Sequence, residues 1–393
     1  MEKKRIYIAD IHMNAGKGVS PAKGKHPYEW LGPEEAKRFA KFLEYLNDPG
    51  TGVQEVVIIG DLMDDWVYPV DIEPPSLQEI LDAPINNKIV KALQELSENN
   101  KINVVYLPGN HDMGVTSELI EENFEGMTFG GAALYNSVYR TSRLRAEHGS
   151  AHAMFNAPPV RYGAGTRLPL GYFISRAVAT KARNTGSAKR HYWSYADDLL
   201  EMVGPQKMAA CVFEAVLEEA GLDETTEILM PKKNGKAPSA TAKKVRKKTG
   251  KAKSATSGQG KRKDDEEVWV RAGEVKERYA ALYDQWEEYN GKGAGFRAIM
   301  AETGLLGRVA DRLCTKSDTN IVVFGHSHDW KLDKDAWFVK DRVYANCGTW
   351  CDEEKPCTWV ESQKDRGKNR HIVRVMDWNN GKPKKLREDH VPL

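Results

Sequence analysis

Long apolar runs are missing from this sequence: no stretch approaches the roughly 18 consecutive apolar residues that a transmembrane helix requires. An integral membrane protein of the helical kind is not expected. The amino-terminal Met-Glu-Lys-Lys-Arg leads into an apolar segment too short for a signal-peptide core and followed by no small-residue cleavage site, so a cytoplasmic location is expected. Cysteine is scarce as well. Five in 393 residues, with no C-x-x-C pair, exclude a disulfide framework and fit a reducing compartment. Cys347, Cys351 and Cys357 cluster, so a zinc site has to be considered, but with no paired C-x-x-C and with Cys211 and Cys314 distant they are expected to be structural or incidental. An apolar fraction of 40% with 29% charged residues is that of a globular protein, and the length allows a large core.

Acidic residues are absent from one stretch. From Lys232 to Lys263 the chain is mostly Lys, Ala, Ser, Gly and Thr, with thirteen Lys and Arg in all, so against a total of +2 the remainder carries a net charge near −11. Its apolar content is too low to offset ordering entropy. A mobile loop that folds back on the acidic body is expected, with contact to nucleic acid or anionic lipid as the sharper alternative.

What is present is ordered. Three early segments repeat one pattern, a β-branched run closing in polar residues: Arg5 to His12, Glu55 to Asp61 and Ile102 to Asp112. Such runs predict buried strands in a sheet covered on both faces. Between them, Pro33 to Asn47 and Pro84 to Asn99 carry apolar residues at three- and four-residue intervals, as amphipathic helices do. The βαβαβ order predicts an α/β sheet with right-handed crossovers, whose ligands bind beyond the carboxyl ends of the strands. Later strands are expected at Val138 to Glu147, Asn320 to Phe324, Arg342 to Asn346, Thr358 to Ser362 and His371 to Trp378. A core of residues 1–150 and 315–393 then frames a mostly helical insertion, or cap, at 151–314. That insertion holds the basic, amphipathic Gly171 to Asn184, helix-like Ala196 to Leu217, the basic loop at about 232–263, and helix-like Glu266 to Tyr289.

The predicted strand ends carry metal-binding groups. They are Asp10-Ile11-His12, Gly60-Asp61-Leu62-Met63-Asp64, Gly109-Asn110-His111-Asp112, Glu147-His148-Gly149 and Gly325-His326-Ser327-His328. Glycine at such a bend lets the chain turn sharply, so that the next polar side chain projects over the sheet edge. One block alone is ordinarily a helix cap or a hydrogen-bonded histidine. Five in this order are not. His148 is preferred to His152 because Gly149 follows it at a strand end; His26, His191, His371 and His390 fall outside every block, and Asp65 is expected at the surface.

The ordered blocks D-x-H, G-D-x-x-D, G-N-H-D, H-G and G-H-x-H resemble the calcineurin-like metallophosphoesterase superfamily, over roughly residues 5–150 and 318–378. The resemblance implies a sandwich of two mixed β-sheets flanked by helices, and an enzyme that hydrolyses phosphoesters with two divalent or trivalent transition-metal ions. It implies Asp10, His12 and His328 at one ion, Asn110, His148 and His326 at the other, and Asp61 bridging them. Such mixed donors suit Mn²⁺ first, with Fe or Zn as alternatives. It also implies a metal-bridging hydroxide as nucleophile, His111 as general acid and Asp64 orienting His111; Asp112 is placed to share that task.

The acidic block lacks the Arg-Gly of protein Ser/Thr phosphatases, and the third block ends in Asp rather than Glu. A looser likeness is to UDP-2,3-diacylglucosamine pyrophosphatases and their larger relatives, through Glu147-His148-Gly149, Phe155-Asn156-Ala157-Pro158 and Leu168-Pro169-Leu170-Gly171-Tyr172. The expected substrate is thus a small-molecule or lipid-linked phosphomonoester or pyrophosphate. In the amphipathic stretch Phe173, Ile174, Ala177 and Val178 oppose Arg176, Lys181 and Arg183, a pattern that fits core packing of a cap helix, an acyl chain or a peripheral membrane contact. The alternative is a nuclease or phosphodiesterase that holds nucleic acid with the basic run and the aromatics Trp269, Tyr279, Tyr283 and Trp286. A binding module without catalysis is the third reading.

Overall fold

The computed structural model describes residues 3–15, 31–131, 137–164, 168–185, 204–231, 268–335, 340–352 and 354–393. The basic run, His26, His191 and the first part of the helix expected from Ala196 lie outside the described residues.

Strands β1 (Lys4–Ile8), β2 (Val53–Ile59), β3 (Asn103–Leu107) and β4 (Met127–Phe129) pair in parallel. Next come the antiparallel pair β5 (Tyr139–Arg140) and β6 (Leu144–Ala146), then β7 (Glu227–Leu229) and β8 (Trp269–Arg271), a separate two-stranded ribbon. Strands β9 (Ile321–Phe324), β10 (Lys331–Lys334) and β11 (Val343–Asn346) join β5 and β6 in a five-stranded sheet of order β10-β11-β9-β6-β5. Finally β12 (Thr358–Asp365), β13 (Arg370–Asn379) and β14 (Lys382–Pro392) return antiparallel to the first sheet, giving the order β14-β13-β12-β1-β2-β3-β4.

The two-residue period of the strands sorts their side chains between layers. Ile6, Ile8, Val56, Ile58, Val104 and Tyr106 face helices α1 (Pro33–Leu46) and, beyond the short α2 (Leu77–Leu81), α3 (Asn87–Ser97). Their neighbours Tyr7, Ala9, Val57, Ile59, Val105 and Leu107 face the second sheet through Leu144, Ala146, Ile321, Val323, Val343 and Ala345. Each buried Val, Ile or Leu among them contributes roughly 1.5–3 kcal/mol, so a one-residue slip in register is strongly disfavoured. After α4 (Ser117–Asn123), the insertion supplies α5 (Leu170–Thr185), α6 (Met208–Glu219), α7 (Ala272–Tyr279), α8 (Leu282–Asn290), α9 (Ala294–Glu302) and α10 (Leu306–Thr315). Leu306 and Ala310 of α10 pack on Val322, Phe324 and Tyr344, the outer face of the second sheet. The result is the expected sandwich of two mixed sheets flanked by helices.

Some elements differ from the sequence reading. The strand read from Val138 to Glu147 is two short strands, and Trp269–Arg271 is a strand rather than the start of a helix. Strands β10 and β14 went unread because they are charged sheet edges with few apolar residues, the composition that protects an edge from further pairing.

Helix α5 also departs from the amphipathic picture. Arg176 is fully buried, and all five of its N–H groups donate: to the carbonyls of Tyr68 (2.5 Å), Pro69 (2.7 Å), Ile72 (2.6 Å) and Leu229 (2.7 Å) and to the Tyr172 hydroxyl (2.8 Å). Arg183 pairs with Asp71 at 2.7 Å and Lys181 with Glu219, while Phe173, Ile174 and Ala177 are buried. Its apolar residues Phe173, Ile174 and Ala177 thus pack inside the molecule. No described helix is long and apolar enough to cross a membrane.

Candidate metal centre

All five blocks end strands on one edge of the sandwich. Asp10 and His12 follow β1, Asp61 follows β2, Asn110 and His111 follow β3, His148 follows β6, and His326 and His328 follow β9. The loops close on each other through two glycines. A Cβ on Gly60 (φ +101°) would lie 2.6 Å from the Gly109 Cα, and one on Gly109 would lie 2.1 Å from Asp61 Oδ1, so only glycine allows this approach. The backbone amides of Ile11 and His12 both donate to the Asp61 carbonyl at 2.9 Å, which fixes the first two blocks side by side. Asp10, His12, Asp61, His326 and His328 all have left-handed backbone, with φ between 53° and 68°. For non-glycine residues this costs roughly 1–3 kcal/mol each and marks sites where geometry serves function.

The side chains converge. His12 Nε2 lies 3.1 Å from His328 Nε2, and Asp10 Oδ1 lies 3.4 Å from the latter. His148 Nε2 lies 3.0 Å from Asn110 Oδ1, and its ring stands 5.3 Å from that of His326. Asp61 stands between these groups: its Oδ2 is 3.7 Å from His12 Nε2 and 3.0 Å from His148 Nε2. Two of the rings are held from behind. His148 Nδ1 lies 3.0 Å from the Ile59 carbonyl and His12 Nδ1 lies 2.8 Å from Asp64 Oδ2, so both Nε2 atoms are turned inward. His152, the competing histidine, bonds Glu147 at 3.1 Å instead.

His111 sits beside this group. Its Nδ1 lies 2.9 Å from Asp64 Oδ2, the same oxygen that meets His12, and its ring stacks 4.5 Å from that of buried Trp66. Asp64 thus orients two histidines, where the sequence anticipated one. Trp66, unremarked in the sequence, meets Tyr172 of α5 edge to face, so the cap helix backs the stack. Asp112 does not take the expected place beside His111. Its carboxylate accepts from the amides of Gly109 (2.6 Å) and Leu62 (2.8 Å) and from the Tyr106 hydroxyl, stapling the second and third loops together. Asp65, expected at the surface, is half-buried, and burial together with Asp64 holds its carboxyl well above the usual carboxylate range.

The donor set fits cations. Burial alone would push the His148 imidazolium down, yet the Asp61 carboxylate carries it up to about 9. His12 is raised well above the ordinary value against the same burial, by Cys351, Asp10, Asp64 and Asp61. His326 is the opposite, depressed to about 3 by burial and the positive charge on His148. A centre that draws protons onto interior histidines is one that stabilises positive charge, which metal ions supply in exchange for those protons.

Among known protein families, a model described as calcineurin-like phosphoesterase matches residues 4–173. The fold is that of the calcineurin-like metallophosphoesterases. With its His/Asp clusters the domain is a metal-dependent phosphoesterase, and the clusters suit two divalent ions. No curated protein matches the chain. Similar solved structures include a dimetal phosphatase from Danio rerio (10% identity, covering 99% of this chain and 98% of that one, TM-score 0.38). Vacuolar Protein Sorting 29 from Cryptosporidium parvum also aligns (10%, 100% and 98%, TM-score 0.33), as does calcineurin-like phosphoesterase YfkN from Bacillus subtilis (10%, 99% and 90%, TM-score 0.28).

Two further groups at the centre were not read from the sequence. Cys351 is buried, and its Sγ, with one ring nitrogen each of His12 and His328, forms a donor set whose atoms all lie within 4.8 Å of one another. Asn156 and Glu302 stand behind Asn110. For Cys351 the available signal was its place shortly after β11, the second strand beyond G-H-x-H.

Proposed function

We propose that this chain hydrolyses a phosphomonoester or pyrophosphate bond in a small-molecule or lipid-linked substrate at a dinuclear metal centre. The observation that carries the reading is Asp61, one carboxylate oxygen of which faces His12 on one side and His148 on the other. Asp10, His12 and His328 would hold one ion, Asn110, His148 and His326 the second, with Asp61 shared. The N/O donors of the second half suit Mn²⁺ or Fe. When bound, the two ions supply Lewis acidity toward phosphoryl oxygens and lower the pKa of a water into the neutral range.

The protein's own groups do the rest. Asp64 accepts from Nδ1 of His12, which turns the His12 Nε2 lone pair toward the centre, and its Oδ2 lies 2.9 Å from Nδ1 of His111, where it would favour the doubly protonated His111 whose Nε2 proton passes to the leaving oxygen. Stacking on Trp66 fixes the plane of that imidazole. Gly60 and Gly109 hold the two loops close enough for Asp61 to reach both halves.

The deciding experiment compares p-nitrophenyl phosphate, its bis ester, a sugar-nucleotide pyrophosphate and single-stranded DNA, before and after chelation and after Mn²⁺ is restored. Activity lost on chelation and regained with metal, on monoester or pyrophosphate, is the expected result. Activity indifferent to chelator overturns the dinuclear reading. The sugar-nucleotide pyrophosphate is chosen for the likeness of the Glu147, Phe155 and Leu168 blocks to enzymes acting on such compounds. A preference for DNA that disappears when residues 232–263 are deleted would move the assignment to the nuclease alternative.

A further inference from the structure

Resting on that dinuclear reading, we propose that Cys351 donates its Sγ to the ion held by Asp10, His12 and His328, and that this thiolate makes the half-site select Zn²⁺ over Mn²⁺.

Cys351 is not an isolated thiol. Its Sγ belongs to the donor set with His12 and His328, the two imidazoles already facing each other at 3.1 Å. The segment that carries it is fastened to both ends of this half-site. Trp350 N and Thr349 Oγ1 donate to the Asp10 carbonyl at 3.1 and 3.0 Å, and Lys355 Nζ donates to the His328 carbonyl at 3.2 Å. Thr349 Oγ1 also lies 3.2 Å from the Cys351 Sγ. Trp350 locks the segment into the core by packing on Phe39 and Phe42, with ring centroids 5.0 and 4.5 Å away. The thiol therefore has little freedom to leave the donor set.

The other four cysteines are spoken for or distant. Cys347 Sγ donates to the Tyr7 carbonyl at 3.4 Å and Cys357 Sγ accepts from Arg38 at 3.3 Å. Among the described residues, Cys211, Cys314, Cys347 and Cys357 enter none of the clusters able to hold a metal. The half-site around Asn110, His148 and His326 has only nitrogen and oxygen donors. The two halves thus differ in softness: thiolate with imidazole favours Zn²⁺, whereas carboxylate and amide oxygens favour harder ions such as Mn²⁺. Coordination requires the thiol proton to leave to solvent as the metal binds, so uptake at this half releases one proton more than it would without the cysteine.

The test is spectroscopic and independent of turnover. Full-length protein is loaded with Co²⁺, a spectroscopic stand-in for Zn²⁺, and its absorption compared with that of Cys351→Ala and Cys351→Ser. The wild type should show a near-ultraviolet thiolate-to-cobalt charge-transfer band that both variants lack while keeping the visible bands of bound Co²⁺. X-ray absorption of the Zn²⁺-loaded wild type should show a sulfur neighbour at about 2.3 Å, a measurement that needs no variant. In competition, the substitutions should erode Zn²⁺-over-Mn²⁺ preference by at least the roughly 10–100-fold that loss of a supporting group costs. A wild type that binds two Co²⁺ with no charge-transfer band and no sulfur neighbour overturns the role of Cys351 and leaves the dinuclear centre standing. A wild type that binds no metal overturns both.

Discussion

The Asn110 Nδ2 group donates to Asn156 Oδ1 at 3.2 Å, and Asn156 Nδ2 donates in turn to Glu302 Oε1 at 2.5 Å. An amide with its nitrogen engaged on one side must present its oxygen on the other, and Asn110 Oδ1 accordingly faces His148 Nε2 at 3.0 Å. Asn156 thus fixes which end of Asn110 reaches the centre. Replacing Asn156 with Ala frees Asn110 to rotate, and metal affinity at that half-site should weaken by roughly 10–100-fold. Equilibrium dialysis against buffered Mn²⁺ reads this directly; unchanged affinity would remove Asn156 from the centre's support.

Glu302 gives this chain of bonds a pH dependence. Burial raises its carboxyl from 4.5 to about 8, although bonds from the Phe155 amide and Asn156 pull the other way. Between those two values the folded state holds a proton that the unfolded state has lost. Its contribution therefore falls as pH rises through that window, by up to about 1.4 kcal/mol per unit, and is flat below and above it. Glu302→Gln, neutral throughout, should remove this component. Urea unfolding from pH 5 to 8.5 tests it: parallel stability profiles for wild type and variant would show that Glu302 does not titrate as its burial demands.

Ligands and proton donor should separate on substitution. Asp61→Ala removes the carboxylate shared by both halves and should empty the centre, as metal analysis would show. His111→Ala should keep metal content near wild type while turnover falls by roughly 10²–10⁴, the usual worth of a placed general acid. If His111→Ala also lost its metal, the imidazole would belong with the ligands instead.

The structural role of Arg176 is equally open to measurement. Arg176→Leu removes the guanidinium donor from the carbonyls of Tyr68, Pro69, Ile72 and Leu229, of which Pro69 keeps the Ile72 amide, and each buried carbonyl left unpaired costs roughly 1–3 kcal/mol. A loss of at least about 3 kcal/mol in denaturant unfolding is expected. A change below about 1 kcal/mol would mean that the loop through Tyr68 to Ile72 can turn its carbonyls to water.

The buried parallel strands, the loops at their ends and the kind of centre those loops carry were written in the sequence alone, whereas the charged edge strands β10 and β14 were not. Buried parallel strands are written as contiguous apolar runs, and Gly-Asp, Gly-Asn-His and Gly-His at their ends are local devices that need no knowledge of neighbours. So Asp10, His12, Asp61, Asn110, His148, His326 and His328 were legible as a set. Tertiary structure decided what each group meets. Whether Asp112 turns to His111 or to backbone amides depends on how two loops pack, and whether Arg176 lies on a surface or in a core depends on carbonyls a hundred residues away. Cys351 and Asn156 reach the centre from segments whose sequence carries no metal pattern; only closure of the second sheet and the packing of α9 bring them there. Local pattern encodes strand and turn because the forces are local, whereas the environment of a buried polar group is set by contacts distant in the chain.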